Sequence, residues 1–180
     1  MYLQHEFMPR KVYLPHFGSE RRLVGVEIGV LTGSGSVTML QFLSNLILYS
    51  IDPWQHIDGA FFECGLTQEE LDENYRIAQA RLAEYNGRSI IIRKTSDEAI
   101  LDVPDEIDFV FIDGDHAYDQ VLRDIKNYGS KVRPGGIIAG HDFIQQDGVT
   151  RAVFHDCFKE QIIHLGEDFT WWVIKDGKSN

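Results

Sequence analysis

The segment from Ile107 to Asp142 constrains the fold more than any other part of the chain. Ile107-Asp108-Phe109-Val110-Phe111-Ile112 runs into Asp113-Gly114-Asp115-His116. A stretch with Val121, Ile125 and Tyr128 at helical spacing follows, and then Gly135-Gly136-Ile137-Ile138-Ala139-Gly140 runs into His141-Asp142. Short apolar runs joined by a helical crossover read as neighbouring buried parallel strands. Such strands lie about 4.8 Å apart. Asp113, His116, His141 and Asp142 are therefore expected to converge on one edge of a sheet, where open α/β sheets place their ligands. The cluster can hold a cation, move a proton, or both.

The same alternation extends in both directions. Leu23 to Ile28 reads as a strand, Gly29 to Gly35 as a glycine-rich turn, and Ser36 to Ser44 as a helix burying Val37, Leu40 and Leu43. Leu46 to Ile51 is a second strand, ending at Asp52. After an insertion, Pro53 to Leu66, that carries Trp54, His56, Phe61 and Phe62, Thr67-Gln68-Glu69-Glu70 has the form of a capping box. The helix it opens shows Leu71, Tyr75, Ala78, Leu82 and Tyr85 on one face and stops at Asn86-Gly87. Ser89 to Arg93 is a third strand, with Ser96 expected to cap a short helix over Asp97 to Leu101. Arg133-Pro134-Gly135-Gly136 is expected to be a turn ahead of the fifth strand, and Val149 to Phe158 a helix. Ile162 to Leu165 and Phe169 to Ile174 are joined by Gly166-Glu167-Asp168, too short for a parallel crossover, so this pair should be antiparallel. The outcome is a three-layer α/β sheet with an antiparallel edge.

At 180 residues the chain suits one domain with a sizeable core. Residues 1–20 are expected to form an N-terminal arm or lid on a core spanning 21–180. The formal net charge of -11 disfavours nucleic acid and acidic membrane surfaces as partners. No apolar run approaches the roughly 18 residues of a membrane span, and the first twenty residues lack a signal-peptide core. A cytoplasmic protein is the resulting expectation. Cys64 and Cys157 form no Cys-x-x-Cys, which argues against a thiolate zinc site or a thioredoxin-like motif.

Glycines 29, 33 and 35 are expected to let the backbone pass close to a bound molecule. Asp52, about 20 residues on, suits the hydroxyls of a ribose. The spacing is Gly-x-x-x-Gly-x-Gly, not the Gly-x-Gly-x-x-Gly that seats a pyrophosphate on a helix N-terminus. Glu27 at the strand end repels a diphosphate and can pair with an ammonium, which favours a cofactor carrying an amino-acid group.

Val26-Glu27-Ile28-Gly29 with Gly33, Asp52-Pro53-Trp54, Phe111-Ile112-Asp113-Gly114-Asp115-His116-Ala117-Tyr118 and Gly135-Gly136…His141-Asp142 together resemble the class I S-adenosylmethionine-dependent methyltransferases. The likeness is to the small branch containing macrocin-type sugar O-methyltransferases. It implies a Rossmann-like seven-stranded, mostly parallel sheet in order 3-2-1-4-5-7-6 with strand 7 antiparallel. It further implies that Glu27, Gly29, Gly33 and Ser34 line the methionine part of the cofactor, with Asp113 beside it. Asp52 would hold the ribose, Trp54 would lie near the sugar or base, and Ser96 and Asp97 near the adenine. Asp113, His141 and Asp142 occupy the positions of a divalent-cation site, and His116 that of the base. Two residues depart from the pattern: Leu31 stands where a glycine is common, and His141 where a carboxylate is. An imidazole in the set admits manganese, iron or zinc as well as magnesium.

The reading is therefore O-methylation of a small hydroxylated acceptor such as a sugar, with a homodimer as the working expectation. A metal-dependent hydrolase built on the same cluster is the alternative, as is a non-catalytic cofactor-binding module; a nicotinamide dehydrogenase is a fourth. Several residues also have plainer readings. Asp115 can cap the helix that starts near Ala117, and Trp54 can be a packing aromatic. Trp171 and Trp172 should pack on opposite faces of the sheet.

Overall fold

The computed structural model describes residues 8–57 and 65–177. The readings for Phe61, Phe62 and Cys64 lie outside them. Seven strands form one sheet: β1 (Leu23–Ile28), β2 (Leu46–Ile51), β3 (Ser89–Ile92), β4 (Ile107–Ile112), β5 (Val132–Gly140), β6 (His164–Leu165) and β7 (Trp171–Ile174). Their spatial order is β3-β2-β1-β4-β5-β7-β6. The first five pair in parallel, whereas β7 pairs antiparallel with both β5 and β6. The expected Rossmann-like α/β sheet with an antiparallel seventh strand is the fold observed.

The central strands are apolar because both faces are covered. Every residue of β4 is buried. On one face, α4 (Ser96–Ala99), α5 (Tyr118–Lys131) and α6 (Asp147–Thr150, continuing as a π-helical stretch Arg151–Cys157) bury Val121, Ile125, Val149 and Val153 against Val110, Ile112 and Trp171. On the other, α2 (Ser34–Phe42) and α3 (Gln68–Leu82) cover Leu48, Phe109 and Phe111. Trp171 packs on the first face and Trp172 on the second, as strand alternation requires.

The N-terminal segment belongs to this packing. A π-helical turn, Met8–Tyr13, leads into α1 (Leu14–Phe17). Met8, Val12 and Tyr13 are buried, and the Tyr13 ring stacks on Phe109 at 4.1 Å. His16 Nε2 donates to the Gly135 carbonyl at 2.8 Å. Met8, Val12 and Tyr13 thus pack into the core face of the sheet.

Thr67 caps α3 with the reciprocal Glu70 bond expected. Four local details differ from the sequence reading. Thr95, not Ser96, caps α4, because its hydroxyl accepts the Glu98 N–H while the Glu98 carboxylate bonds back to Thr95 in a second capping box. Gly33, in the left-handed conformation, starts α2 two residues earlier than expected. Arg133 to Gly136 lie inside β5, where the β4 register shifts between Ile107 and Phe109, so the glycines make a bulge and not a turn. The Val149 to Phe158 helix is mostly π-helical.

Asp108 is a buried acid that the apolar pattern of β4 concealed. Burial alone raises its pKa, but bonds from Arg21 and Arg133 and from the Val24 amide hold it below the usual carboxylate range. It is a neutralised structural group near the amino end of its strand.

Candidate functional site at the carboxyl ends of the central strands

Ile28, Ile112 and Gly140 are register partners across β1, β4 and β5. The next residue of each strand is Gly29, Asp113 and His141, so three strand ends stop in line. Two backbone bonds lock the junction: Asp113 N–H to the Ile28 carbonyl at 2.8 Å and His141 N–H to the Ile112 carbonyl at 3.1 Å. Gly29 has φ 87°, and a Cβ on it would lie 2.0 Å from the Asp113 carbonyl oxygen. Gly33, at φ 78°, would bring a Cβ to 3.3 Å from the Ala78 Cα of α3. The protein's own backbone approach thus requires a glycine at 29 and favours one at 33, before any ligand is considered.

Asp113, His141 and Asp142 are brought together as the sequence implied. One ligating atom from each lies within 4.8 Å of the others. His141 Nδ1 is 3.1 Å from Asp142 Oδ1 and 4.0 Å from Asp113 Oδ1. Its Nε2 edge is buried beside the Asp168 backbone, the side on which a ligating histidine ordinarily meets a main-chain group. His116 joins the cluster through Nε2, 2.9 Å from Asp142 Oδ2, with 21% of its side chain exposed. Asp115 is a turn residue: its Oδ1 accepts the Ala117 N–H at 2.9 Å, and α5 follows its N-cap Ala117 without a side-chain cap, so the expected cap by Asp115 is not formed.

Burial and mutual charge set the protonation of this cluster. Desolvation pushes the Asp113 carboxyl up to about 7, with Asp142 adding and His141 and His116 opposing. The bonds from His116 and His141 overcome burial at Asp142 and hold it well below the usual carboxylate range. At His141, burial is outweighed by the Asp142 bond and the two neighbouring carboxylates, which raise its pKa.

A second group of acids stands behind the glycine turn. Glu27 is 1% exposed, and its carboxylate accepts the Ser36 hydroxyl, which in turn meets Ser50 Oγ at 2.9 Å. Desolvation raises Glu27 to about 8, with Asp113 and Asp52 contributing after the opposing Ser36 bond. Glu27, Asp113 and Asp52 therefore share one field, and the strained form is the fully ionised one. Such a set repels a diphosphate and accommodates a bound cation, ammonium or sulfonium. Glu27 itself is sealed beneath the turn and does not line an open pocket wall.

Folding to the ligand-free state keeps a proton on Glu27, so the stability this contributes is complete below its ordinary value of 4.5 and is lost as pH rises through about 8. Asp113 acts in the same direction up to about 7. The Tm of the ligand-free protein is expected to fall across this interval. Glu27→Gln, permanently neutral, should flatten the upper part of the slope; a melting profile identical to that of the parent would show Glu27 already ionised.

Asp52 closes the turn from the other side. Oδ2 accepts the Val30 and Leu31 amides at 2.9 and 3.0 Å, and Oδ1 accepts Trp54 N–H at 2.7 Å. Oδ1 alone retains a second lone pair for a ribose, since both of those on Oδ2 are taken, and the carboxylate's first task is to shape the loop. Trp54 is 0% exposed; its Nε1 donates to the Leu31 carbonyl at 2.7 Å and its ring packs on Tyr75 at 4.8 Å. Trp54 takes the packing role that was its plainer reading, its indole filling the space between the turn and α3.

Ser96 and Asp97 sit after β3 as expected. Ser96 is 8% exposed, and its Oγ accepts Gln120 Nε2 at 3.0 Å. Asp97 is exposed and pairs with Arg123 at 3.3 Å. The sequence reading missed what supports them: Asp124, buried at 1% exposure and pushed up to about 6 by desolvation, and Tyr128, whose hydroxyl donates to the Ser96 carbonyl at 2.7 Å. Polar residues at helical spacing on α5 were the available signal. Ser34 accepts Arg81 Nη1 at 2.8 Å on the outer side of the turn.

A sheet in this order, with its acids and imidazoles gathered where β1, β4 and β5 end, has the architecture of the class I methyltransferases. The chain belongs to the methyltransferase-domain family, whose model matches residues 26–143. A solved protein from Corynebacterium glutamicum shares the fold at TM-score 0.69 and 13% identity, covering 99% of this chain and 83% of that one. An O-methyltransferase from Bacillus cereus, solved in complex with SAH, gives 0.65 at 16% identity over 97% of this chain and 82% of its own. Among relatives by sequence, the uncharacterized protein R132 of Acanthamoeba polyphaga mimivirus is 32% identical over 126 residues, which is 67% of this chain and 52% of R132. The uncharacterized protein y4gI of Sinorhizobium fredii is 28% identical over 147 residues, 79% of this chain and 14% of y4gI. The chain thus spans only part of the length of either. Among the described residues, no helix is long and apolar enough to cross a membrane.

Proposed function

We propose that the protein transfers a methyl group from S-adenosylmethionine to an oxygen of a small hydroxylated acceptor, a sugar hydroxyl in the macrocin-type reading, with a divalent cation at Asp113, His141 and Asp142. The observation that carries this is the convergence of those three ligating groups with His116 at the strand ends next to the glycine turn. The Bacillus cereus O-methyltransferase of the same fold, solved with SAH, supports it. The field of Glu27, Asp52 and Asp113 fits a cofactor that arrives with positive charge.

Methyl transfer from a sulfonium needs an oxygen nucleophile in line with the methyl group and relieved of its proton. A cation held by the cluster would supply Lewis-acid stabilisation of that oxygen, and two carboxylates with one imidazole suit manganese, iron or zinc as well as magnesium. His116, held beside Asp142, accepts the proton of the acceptor hydroxyl. Asp142, ionised throughout the working range, fixes the tautomer and stabilises the imidazolium once formed. The Gly29–Asp113 approach fixes how far the donor pocket stands from this base, so orientation is set by the sheet itself.

Calorimetric titration with S-adenosylhomocysteine, with and without magnesium or manganese, tests cofactor and cation separately. Saturable binding that strengthens or reorganises with the cation is expected, and Asp142→Asn should remove the cation effect alone. Absence of any binding under both conditions would overturn the assignment.

A further inference from the structure

We infer that Ile144 and Phe169 form an apolar seat beside the Asp113–His141–Asp142 cluster, and that the acceptor is a neutral amphiphile whose hydrophobic body rests there. This depends on the methyl-transfer reading above and narrows its substrate class.

The backbone provides the argument. Six non-glycine residues among those described have positive φ: Leu31, Trp54, Glu106, Asp142, Ile144 and Phe169. All but Glu106 lie in connections at the site end of the sheet. Ile144, at φ 74°, is a β-branched residue in the left-handed region, a genuine outlier for that side chain. It is also 68% exposed. Phe169, at φ 64° and 41% exposed, ends the three-residue connection Glu167-Asp168-Phe169, closed by Gly166 N–H to the Thr170 carbonyl at 2.7 Å. The last position of such a loop is left-handed and favours glycine. At two positions where glycine or asparagine would relieve strain and exposure together, the chain carries a large apolar side chain.

Both are held there by the surroundings. Phe143 is buried in the core, and its N–H donates to the Phe169 carbonyl at 3.1 Å, tying the two loops together. Ile144 N–H donates to Thr150 Oγ1 at 3.0 Å, and Gln146 N–H to the Asp142 carbonyl at 3.0 Å. His141 and Asp142 immediately precede Phe143, and the Asp168 backbone lies against His141. Folding gains nothing from a water-exposed isoleucine or phenylalanine in this conformation, and strain of this kind concentrates at ligand clamps. Leu101 and Ile162 are more exposed still, at 90% and 78%, yet neither has positive φ. The carboxylates next to the seat disfavour an anionic group, so the body it receives is uncharged.

The test uses matched ligands on the S-adenosylhomocysteine-loaded protein: octyl glucoside below its micelle concentration against glucose, and 4-tert-butylcatechol against catechol, each titrated by calorimetry. The alkylated member of each pair is expected to bind at least about tenfold tighter, the equivalent of burying one or two methylene groups. Ile144→Asn with Phe169→Asn, a pair that suits the left-handed backbone, should abolish that difference while leaving S-adenosylhomocysteine affinity and Tm unimpaired. Equal binding within both pairs, no binding of any of the four, or an unchanged preference in the double variant overturns the seat. So does a double variant that changes only the oligomeric state, which would assign the patch to a second copy. Failure of the wild-type protein to take up S-adenosylhomocysteine at all overturns the underlying reading instead, and the two failures are read on separate titrations.

Discussion

Replacing His116 with alanine is expected to slow methyl transfer by about 10²–10⁴-fold, the contribution of a positioned general base, with little change in Tm. The imidazole is a fifth exposed and bonded through one nitrogen to Asp142 at 2.9 Å, so its removal opens no core cavity. Asp142 keeps its bond to His141, which holds the remaining cluster in place. Affinity for S-adenosylhomocysteine should persist, because no contact of the glycine turn is touched. The informative measurement is kcat against pH. Loss of the acidic limb of the profile identifies His116 as the group that must be deprotonated. A variant retaining parental kcat and an unaltered profile would leave the proton to be taken by Asp113, whose carboxyl is itself raised to about 7.

The largest stability effect is expected at Gly29. An alanine Cβ there meets the Asp113 carbonyl oxygen at 2.0 Å and its carbon at 2.4 Å, both main-chain atoms that no rotamer change can move. Left-handed strain and forced separation of β1 from β4 add together. A loss of about 3–5 kcal/mol follows, or about 6–20 °C in Tm for a domain of this size. Gly87→Ala is the control. It has φ 85° and nothing within 4 Å of the added Cβ, so strain acts without collision and the cost should be about 1 kcal/mol. Equal melting points for the two variants would mean that the β1–β4 junction opens freely and that its tightness does not position Asp113.

The contrast between these glycines shows which inferences a chain permits before it is folded. The elements were legible because their causes are local. Helical spacing of Leu71, Ala78 and Leu82, the Thr67–Glu70 capping box, and the abrupt end of apolar runs at Asp113 and at His141 act over a few residues. Strand order could be expected from the resemblance, and convergence of the Asp113, His141 and Asp142 side chains followed from adjacency of two parallel strands. Some side-chain contacts between distant segments were missed or left open. Trp54 had a packing reading beside its cofactor-side one, and its packing was visible only once α3 and the turn closed over it. Asp108 was hidden in an apolar run whose two arginine partners lie far along the chain. Asp124 and Tyr128 became the support of Ser96 only when α5 packed beside α4.

By itself, then, the sequence determined the alternation of strands and helices, their capping, and the set of acids and imidazoles at the strand ends, since these rest on near-neighbour periodicity and on side-chain chemistry present in any conformation. Tertiary structure alone decided how closely Gly29 approaches the Asp113 carbonyl, that Glu27 is sealed with its carboxyl pushed up to about 8, and that Ile144 and Phe169 stand exposed in left-handed backbone. Close approach, desolvation and imposed φ are properties of the packed chain, created when segments remote in sequence exclude water from one another.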